Sequence, residues 1–179
     1  MVVETQIPLL EEILSSWQVK IGEDYQGYKN HLYRMIHFCF ALHPCEQEER
    51  EKIIIAACFH DLGIWSDDTV DYLPPSILLV KAYLEENNLK HWFAEIALMI
   101  EMHHKLRQYK GEYSVLVEVF RRADLMDVSL GYVKGGLRKA TINEVKAVFP
   151  NEGFHKRLMQ LTVRQLLRHP LNPLPMMKW

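Results

Sequence analysis

The stretch Ile53-Ile54-Ile55-Ala56-Ala57-Cys58-Phe59-His60-Asp61-Leu62-Gly63 decides the fold class. Its seven leading apolar residues suit a buried strand as well as a buried helix. What precedes them settles the choice. The N-terminal side lacks the turn residues that bound a strand. It carries Glu46, Glu48 and Glu49 instead, and acidic side chains favour a helix N-terminus through its partial positive charge. The run therefore reads as a helix that starts near residue 46 and ends near Gly63.

Working outward, the apolar spacing stays helical. Tyr28, Leu32, Met35, Phe38, Cys39 and Leu42 fall on one face of a helix over about 25–42. That helix stops before Pro44, which disfavours α geometry at His43. Leu9, Leu10, Ile13, Leu14 and Trp17 follow Pro8, a good first-turn residue. Downstream, residues 66–75 carry Asp67, Asp68 and Asp71 and read as a solvated loop. Helices are expected over 76–86, closed by Asn87-Asn88, then over about 91–102 and, after Gly111, about 114–130. Gly131, Gly135 and Gly136 mark a connection. Thr141-Ile142-Asn143-Glu144 fits a capping box that opens a helix ending at Pro150. A last helix is expected over about 153–168. The proline-rich tail from His169 to Pro175 cannot be helical and is expected to lie across the surface. The sum is one all-α domain over 1–179, a bundle of seven or eight helices without a credible strand.

Composition narrows the function. With 21 Lys and Arg against 23 Asp and Glu, no basic field draws in nucleic acid or an anionic membrane. The longest apolar run, 53–59, falls far short of the roughly 20 residues a membrane span needs. The first residues have no basic start and no long apolar core, unlike a signal peptide. Cys39, Cys45 and Cys58 form no C-x-x-C pair and suit a reducing compartment, so a cytoplasmic location is expected. Nine histidines point to metal or proton chemistry.

The sharpest local signal is His60-Asp61 at a helix end. Neighbouring side chains on a helix diverge by about 100°. Both can still reach one ion at the edge between them, where exposed carbonyls also favour a cation. A His-Asp pair alone recurs by chance. Here it follows His31, set on a helix beside buried positions, and precedes Asp124 within Arg121-Arg122-Ala123-Asp124-Leu125-Met126-Asp127. The ordered set resembles the HD-domain superfamily of metal-dependent phosphohydrolases, with His31, His60, Asp61 and Asp124 at the matching positions. The resemblance spans 28–129, an HD-like metal-binding core, and leaves 130–179 as a C-terminal helical extension and tail.

The resemblance implies that these four residues bind one divalent ion. Two imidazoles and two carboxylates suit Mn, Fe, Co, Ni or Zn, with Mg a poorer match. Open positions would take a water and a phosphoryl oxygen, and Asp61 would both ligate and steer the attacking water. Asp127 lies on nearly the same helical face as Asp124 and reads as a hydrogen-bonding support or a salt-bridge partner. One of His103 and His104 is expected to face the site, to contact phosphate or act as a general acid. Family members with two metals carry an earlier histidine that 71–76 lacks, which favours one metal. Arg34 and Lys105 are the candidates for neutralising substrate phosphate. Arg121 and Arg122 read as solvated, Gly135-Gly136 as linker, and His37, His43, His155 and His169 match no motif.

The expected function is a metal-dependent phosphohydrolase acting on a small phosphorylated metabolite or nucleotide. Whether it cleaves monoesters or diesters is left open. Relatives that hydrolyse guanosine tetraphosphate carry a Glu-Asp pair where this chain has Leu62-Gly63-Ile64-Trp65. The Gly-Tyr-Pro motif of cyclic dinucleotide phosphodiesterases is absent after His103-His104. The alternatives are a noncatalytic metal-containing ligand sensor and a di-iron oxygenase or lyase. Hydrophobes at the C-terminus, Met176-Met177-Lys178-Trp179, leave a docking role or a homo-oligomer open.

Overall fold

In the computed structural model the 53–59 run is helical, and so is most of the chain. Residues 2–172 and 174–178 are described; the parts of the tail reading that rest on Pro173 and Trp179 fall outside them. The order is α1 (Pro8–Ser15), α2 (Gln18–Ile21), a 3₁₀ turn (Gly22–Asp24), α3 (Tyr25–Leu42), α4 (Gln47–Phe59), α5 (Gly63–Ser66) and α6 (Leu73–Glu86). A second 3₁₀ turn (Lys90–Trp92), α7 (Phe93–Met102), α8 (Ser114–Val128), α9 (Lys139–Val148) and α10 (Phe154–Arg168) follow. Eight of these α-helices have eight residues or more. Among the described residues there is no strand, only an isolated bridge between Lys105 and Lys178. The protein is an all-α bundle.

Three boundaries differ from the sequence reading: α4 ends at Phe59 rather than near Gly63, which instead starts α5. The capping box belongs to α4, where Glu46 and Glu49 satisfy each other's backbone N–H groups. The one expected at Thr141–Glu144 does not form, because α9 is already helical from Lys139 with Arg138 at its N-cap. The acidic loop is also shorter than 66–75. Helix α6 begins at Leu73 and takes Pro74 and Pro75 into its first turn, where a missing N–H leaves no bond unmade.

Helix α3 is the centre of the bundle. It packs on α8 and α4, and α4 in turn packs on α1 and α7. Between Gly27 and Cys39 almost every α3 residue is buried, with Asn30, His31, Arg34 and His37 among the apolar ones. A helix buried all round must satisfy its polar side chains inside the protein. Those inward polar groups become the site.

Two glycines permit the close approaches that complete it. A Cβ on Gly27 would lie 2.7 Å from the Glu152 carbonyl oxygen, so this glycine lets the start of α10 rest on α3. A Cβ on Gly63 would lie 2.3 Å from the Tyr72 carbonyl oxygen. Gly63 therefore lets the start of α6 fold back onto the His60-Asp61 turn, and its N–H donates to Ser76 Oγ at 2.9 Å. The tail also returns to the body: Leu106 N–H donates to the Lys178 carbonyl at 2.9 Å. No helix among the described residues is long and apolar enough to cross a membrane.

Candidate metal centre

Four elements meet at the centre: α3 with His31, the end of α4 with His60 and Asp61, the end of α7 with His103 and His104, and α8 with Asp124 and Asp127. The ring orientations follow from their partners. His60 Nδ1 lies 2.7 Å from the Ala57 carbonyl, and His103 Nδ1 lies 2.6 Å from the Ile100 carbonyl. A carbonyl only accepts, so both Nδ1 atoms carry the proton and both Nε2 atoms present lone pairs. His31 Nδ1 is 2.7 Å from Asp127 Oδ2, with the same consequence.

The lone pairs of His31 Nε2 and His60 Nε2 then face each other across 3.2 Å. Two acceptors at that distance repel unless a cation lies between them. Ligands on one ion with bonds of about 2.0–2.1 Å stand about 3.0 Å apart in octahedral and about 3.4 Å apart in tetrahedral geometry. The observed spacing falls in that interval. Carboxylates supply the charge: Asp61 Oδ2 is 3.2 Å from His60 Nε2, and Asp124 Oδ1 is 3.7 Å from His31 Nε2 and 4.0 Å from His60 Nε2. His31, His60 and Asp61 form one donor group, with Asp124 beside both imidazoles. The donor set fits a divalent transition metal.

Electrostatics without the cation are correspondingly uneven. Burial pushes Asp124 up to about 7, aided by the nearby Asp61 and Asp127 carboxylates. Burial also lowers His31 to about 4, although Asp127 opposes it. Such a cluster of carboxylates and imidazoles, nearly all shielded from water, is what a positive ion would relieve.

Asp127 is the support for His31. Its Oδ2 accepts hydrogen bonds from His31 Nδ1 and from Arg34 Nη2, both at 2.7 Å, while its Oδ1 accepts from Arg34 Nε at 2.5 Å. Arg34 Nη1 donates to the carbonyls of Phe149 and Pro150, both at 3.1 Å. Arg34 is only 2% exposed. The expectation that it neutralises substrate phosphate is therefore corrected: its guanidinium is consumed in holding Asp127. Lys105 does line the cavity above the centre. Arg121 binds Glu118 and the Lys105 carbonyl, and Arg122 donates to the Gly135 carbonyl; neither is a free solvated charge.

Both His103 and His104 face the centre, where only one was expected to. His103 Nε2 is 3.6 Å from Asp61 Oδ1, and His104 Nδ1 is 3.8 Å from Asp124 Oδ2. Sequence reasoning missed three contributors. The Tyr72 hydroxyl bonds His104 Nε2 at 2.5 Å. Phe154 stacks on the His31 ring at 4.2 Å between centroids. His155 donates from Nε2 to the Asp127 carbonyl at 2.9 Å. The only prior hint was Gly63, since a glycine before a buried turn permits another backbone to approach; no periodicity marks a loop tyrosine. Segment 149–155, placed in the extension by the sequence reading, thus buttresses the centre directly.

No family model matches the chain, and neither curated proteins nor solved structures give a match. The likeness to HD-domain proteins therefore rests on His31, His60, Asp61 and Asp124 and on their helical setting.

Proposed function

We propose that this chain is a metal-dependent phosphohydrolase. The single observation that carries the reading is the pair of facing imidazole lone pairs, 3.2 Å apart beside Asp61 and Asp124. His31, His60, Asp61 and Asp124 would hold the ion. When bound, it lowers the pKa of a water toward neutrality and polarises a phosphoryl oxygen.

The chain's own residues supply the rest. Asp61 Oδ1 is buried and has no hydrogen-bond partner, which suits it to orient the attacking water and take its proton. The water oxygen forms a bond to phosphorus, the ester P–O bond breaks, and the leaving oxygen takes a proton. His104, bonded to the Tyr72 hydroxyl, would give that proton. Asp127 and Arg34 fix His31, and Phe154 covers it from solvent.

Turnover of a phosphate-ester panel by protein loaded separately with Mn, Co, Ni, Mg or Zn tests this reading. Expected is hydrolysis that chelation abolishes and that His60→Ala or Asp61→Ala removes. Absence of turnover with every metal overturns it.

One observation favours a second reading, with two ions sharing Asp61. Asp61 Oδ1 and His103 Nε2 are both buried without a hydrogen-bond partner, and with His104 they form a second donor group. Metal analysis separates the two: one ion per chain supports the mononuclear reading, two ions the dinuclear one.

A further inference from the structure

The wall of the cavity above the centre does not match its floor. The cavity has a volume of about 250 Å³, room for a molecule on the order of ten non-hydrogen atoms. Its floor is polar: Asp61, Asp124, His103, His104 and Tyr72. Its walls are apolar, built by Leu125 and Val128 of α8, Leu158 and Leu161 of α10, and Met176 and Met177 of the returning tail. Among the residues lining it, Lys105 is the one cation. Thr162 is the one hydroxyl on the α10 wall, and that hydroxyl already donates to the Leu158 carbonyl.

We infer that the substrate is a small monoester with an apolar alkyl or aryl body and a single phosphate head, rather than a nucleotide. This rests on the phosphohydrolase reading and narrows its substrate. A polyphosphate brings several negative charges and calls for several cationic donors, of which the lining offers one. A nucleobase carries hydrogen-bonding edges, and burying them against Leu and Met side chains leaves those edges unsatisfied. An apolar body has no such cost, because the walls that exclude water from it gain contact area. The head would sit on the polar floor and the body would point along α8 and α10 toward the tail. Residues 174–178, absent from the HD-like 28–129 core, therefore help to set specificity. The Leu106 to Lys178 backbone bond holds that wall in place.

Two parallel series test the inference on the full-length, Mn-loaded protein. Alkyl phosphates from methyl to hexyl, with AMP and ATP for comparison, are assayed for kcat/KM. Alkylphosphonates of the same lengths, whose C–P bond resists hydrolysis, are assayed for binding by calorimetry. Expected is a rise of about fourfold per added methylene in both series until the cavity is full, with AMP and ATP below the hexyl ester. Leu161→Trp on α10, or Met176→Trp on the tail, is expected to stop the rise at a shorter chain while bound metal is retained. A response flat with chain length, or a preference for AMP, overturns the substrate class while leaving the hydrolase reading intact. Phosphonate binding that rises with length, without hydrolysis of any ester, supports the apolar class and overturns the hydrolase reading. Neither binding nor turnover overturns both.

Discussion

Asp127 and Arg34 show how one side chain acts through another. Both are buried and form a bidentate pair, so removing one charge strands its partner away from water. Asp127→Asn should destabilise the fold by about 3–5 kcal/mol in chemical denaturation. It should also weaken metal binding by about 10–100-fold in a titration, because His31 loses the acceptor that fixes its tautomer. Metal affinity unchanged by Asp127→Asn would remove the supporting role. Arg34→Lys makes a sharper distinction. A lysine keeps the charge but not the two-pronged geometry. The variant should lose stability while its KM for a phosphate ester stays within about twofold; a large rise in KM would restore Arg34 as a phosphate ligand.

At the scale of elements, the turn after α4 and the start of α6 are a unit. Gly63→Ala places a methyl group 2.3 Å from the Tyr72 carbonyl, and backbone must shift to accept it. A loss of about 1–3 kcal/mol is expected, together with a lower kcat as Tyr72 leaves His104. The second signal separates displacement of Tyr72 from a general loss of folded protein; unaltered kcat in the folded fraction would show that Tyr72 has no part in the reaction. The helical reading of 53–59 was legible because Glu46, Glu48 and Glu49 stand at its start. The start of α6 was less so, since Pro74 and Pro75 suggest loop until a helix is seen to begin just before them. The capping box was misplaced for a related reason. Thr141 to Glu144 has the residues for one, but a box acts only at a helix boundary, and spacing does not reveal that α9 starts at Lys139.

For the whole molecule, a cation held by His31, His60, Asp61 and Asp124 would link α3, α4 and α8, and would stabilise the bundle as any ligand of the native state does. At metal one hundred times its Kd, stability should rise by about 2.7 kcal/mol, and chelation should lower Tm by about 5–10 °C. A Tm unaffected by chelation in protein shown to have lost its metal would mean that the ion holds nothing together. A separate pH dependence comes from His37, remote from the centre. Its Nδ1 donates to the Tyr33 carbonyl and its Nε2 accepts from Glu4 N–H at 2.9 Å, which ties the N-terminal segment to α3. Burial lowers its pKa below the ordinary 6.5, with Arg50 adding to the effect and the Tyr33 carbonyl and Glu4 opposing it. The unfolded chain thus binds the proton more readily, so this stabilisation is present above about pH 6.5 and is lost as pH falls below it. The slope of unfolding free energy between pH 7 and 5 should flatten in His37→Gln; an unchanged slope would assign the acid sensitivity to other groups.

What the sequence by itself determined is what depends on local spacing: the all-α class, most helix positions, and the order His31, His60-Asp61, Asp124 on helices that carry apolar faces. Periodicity and end signals act over a few residues, so they can be read one segment at a time. The tertiary structure alone decided the partners. Arg34 looks like a phosphate ligand from its place one turn after His31, and only packing shows that Asp127, Phe149 and Pro150 consume its donors. Tyr72 and Phe154 reach the centre by close approaches that Gly63 and Gly27 permit, and the tail methionines line the cavity above it from far along the chain. Contacts of that range are set by which surfaces exclude water together, and no local spacing encodes them.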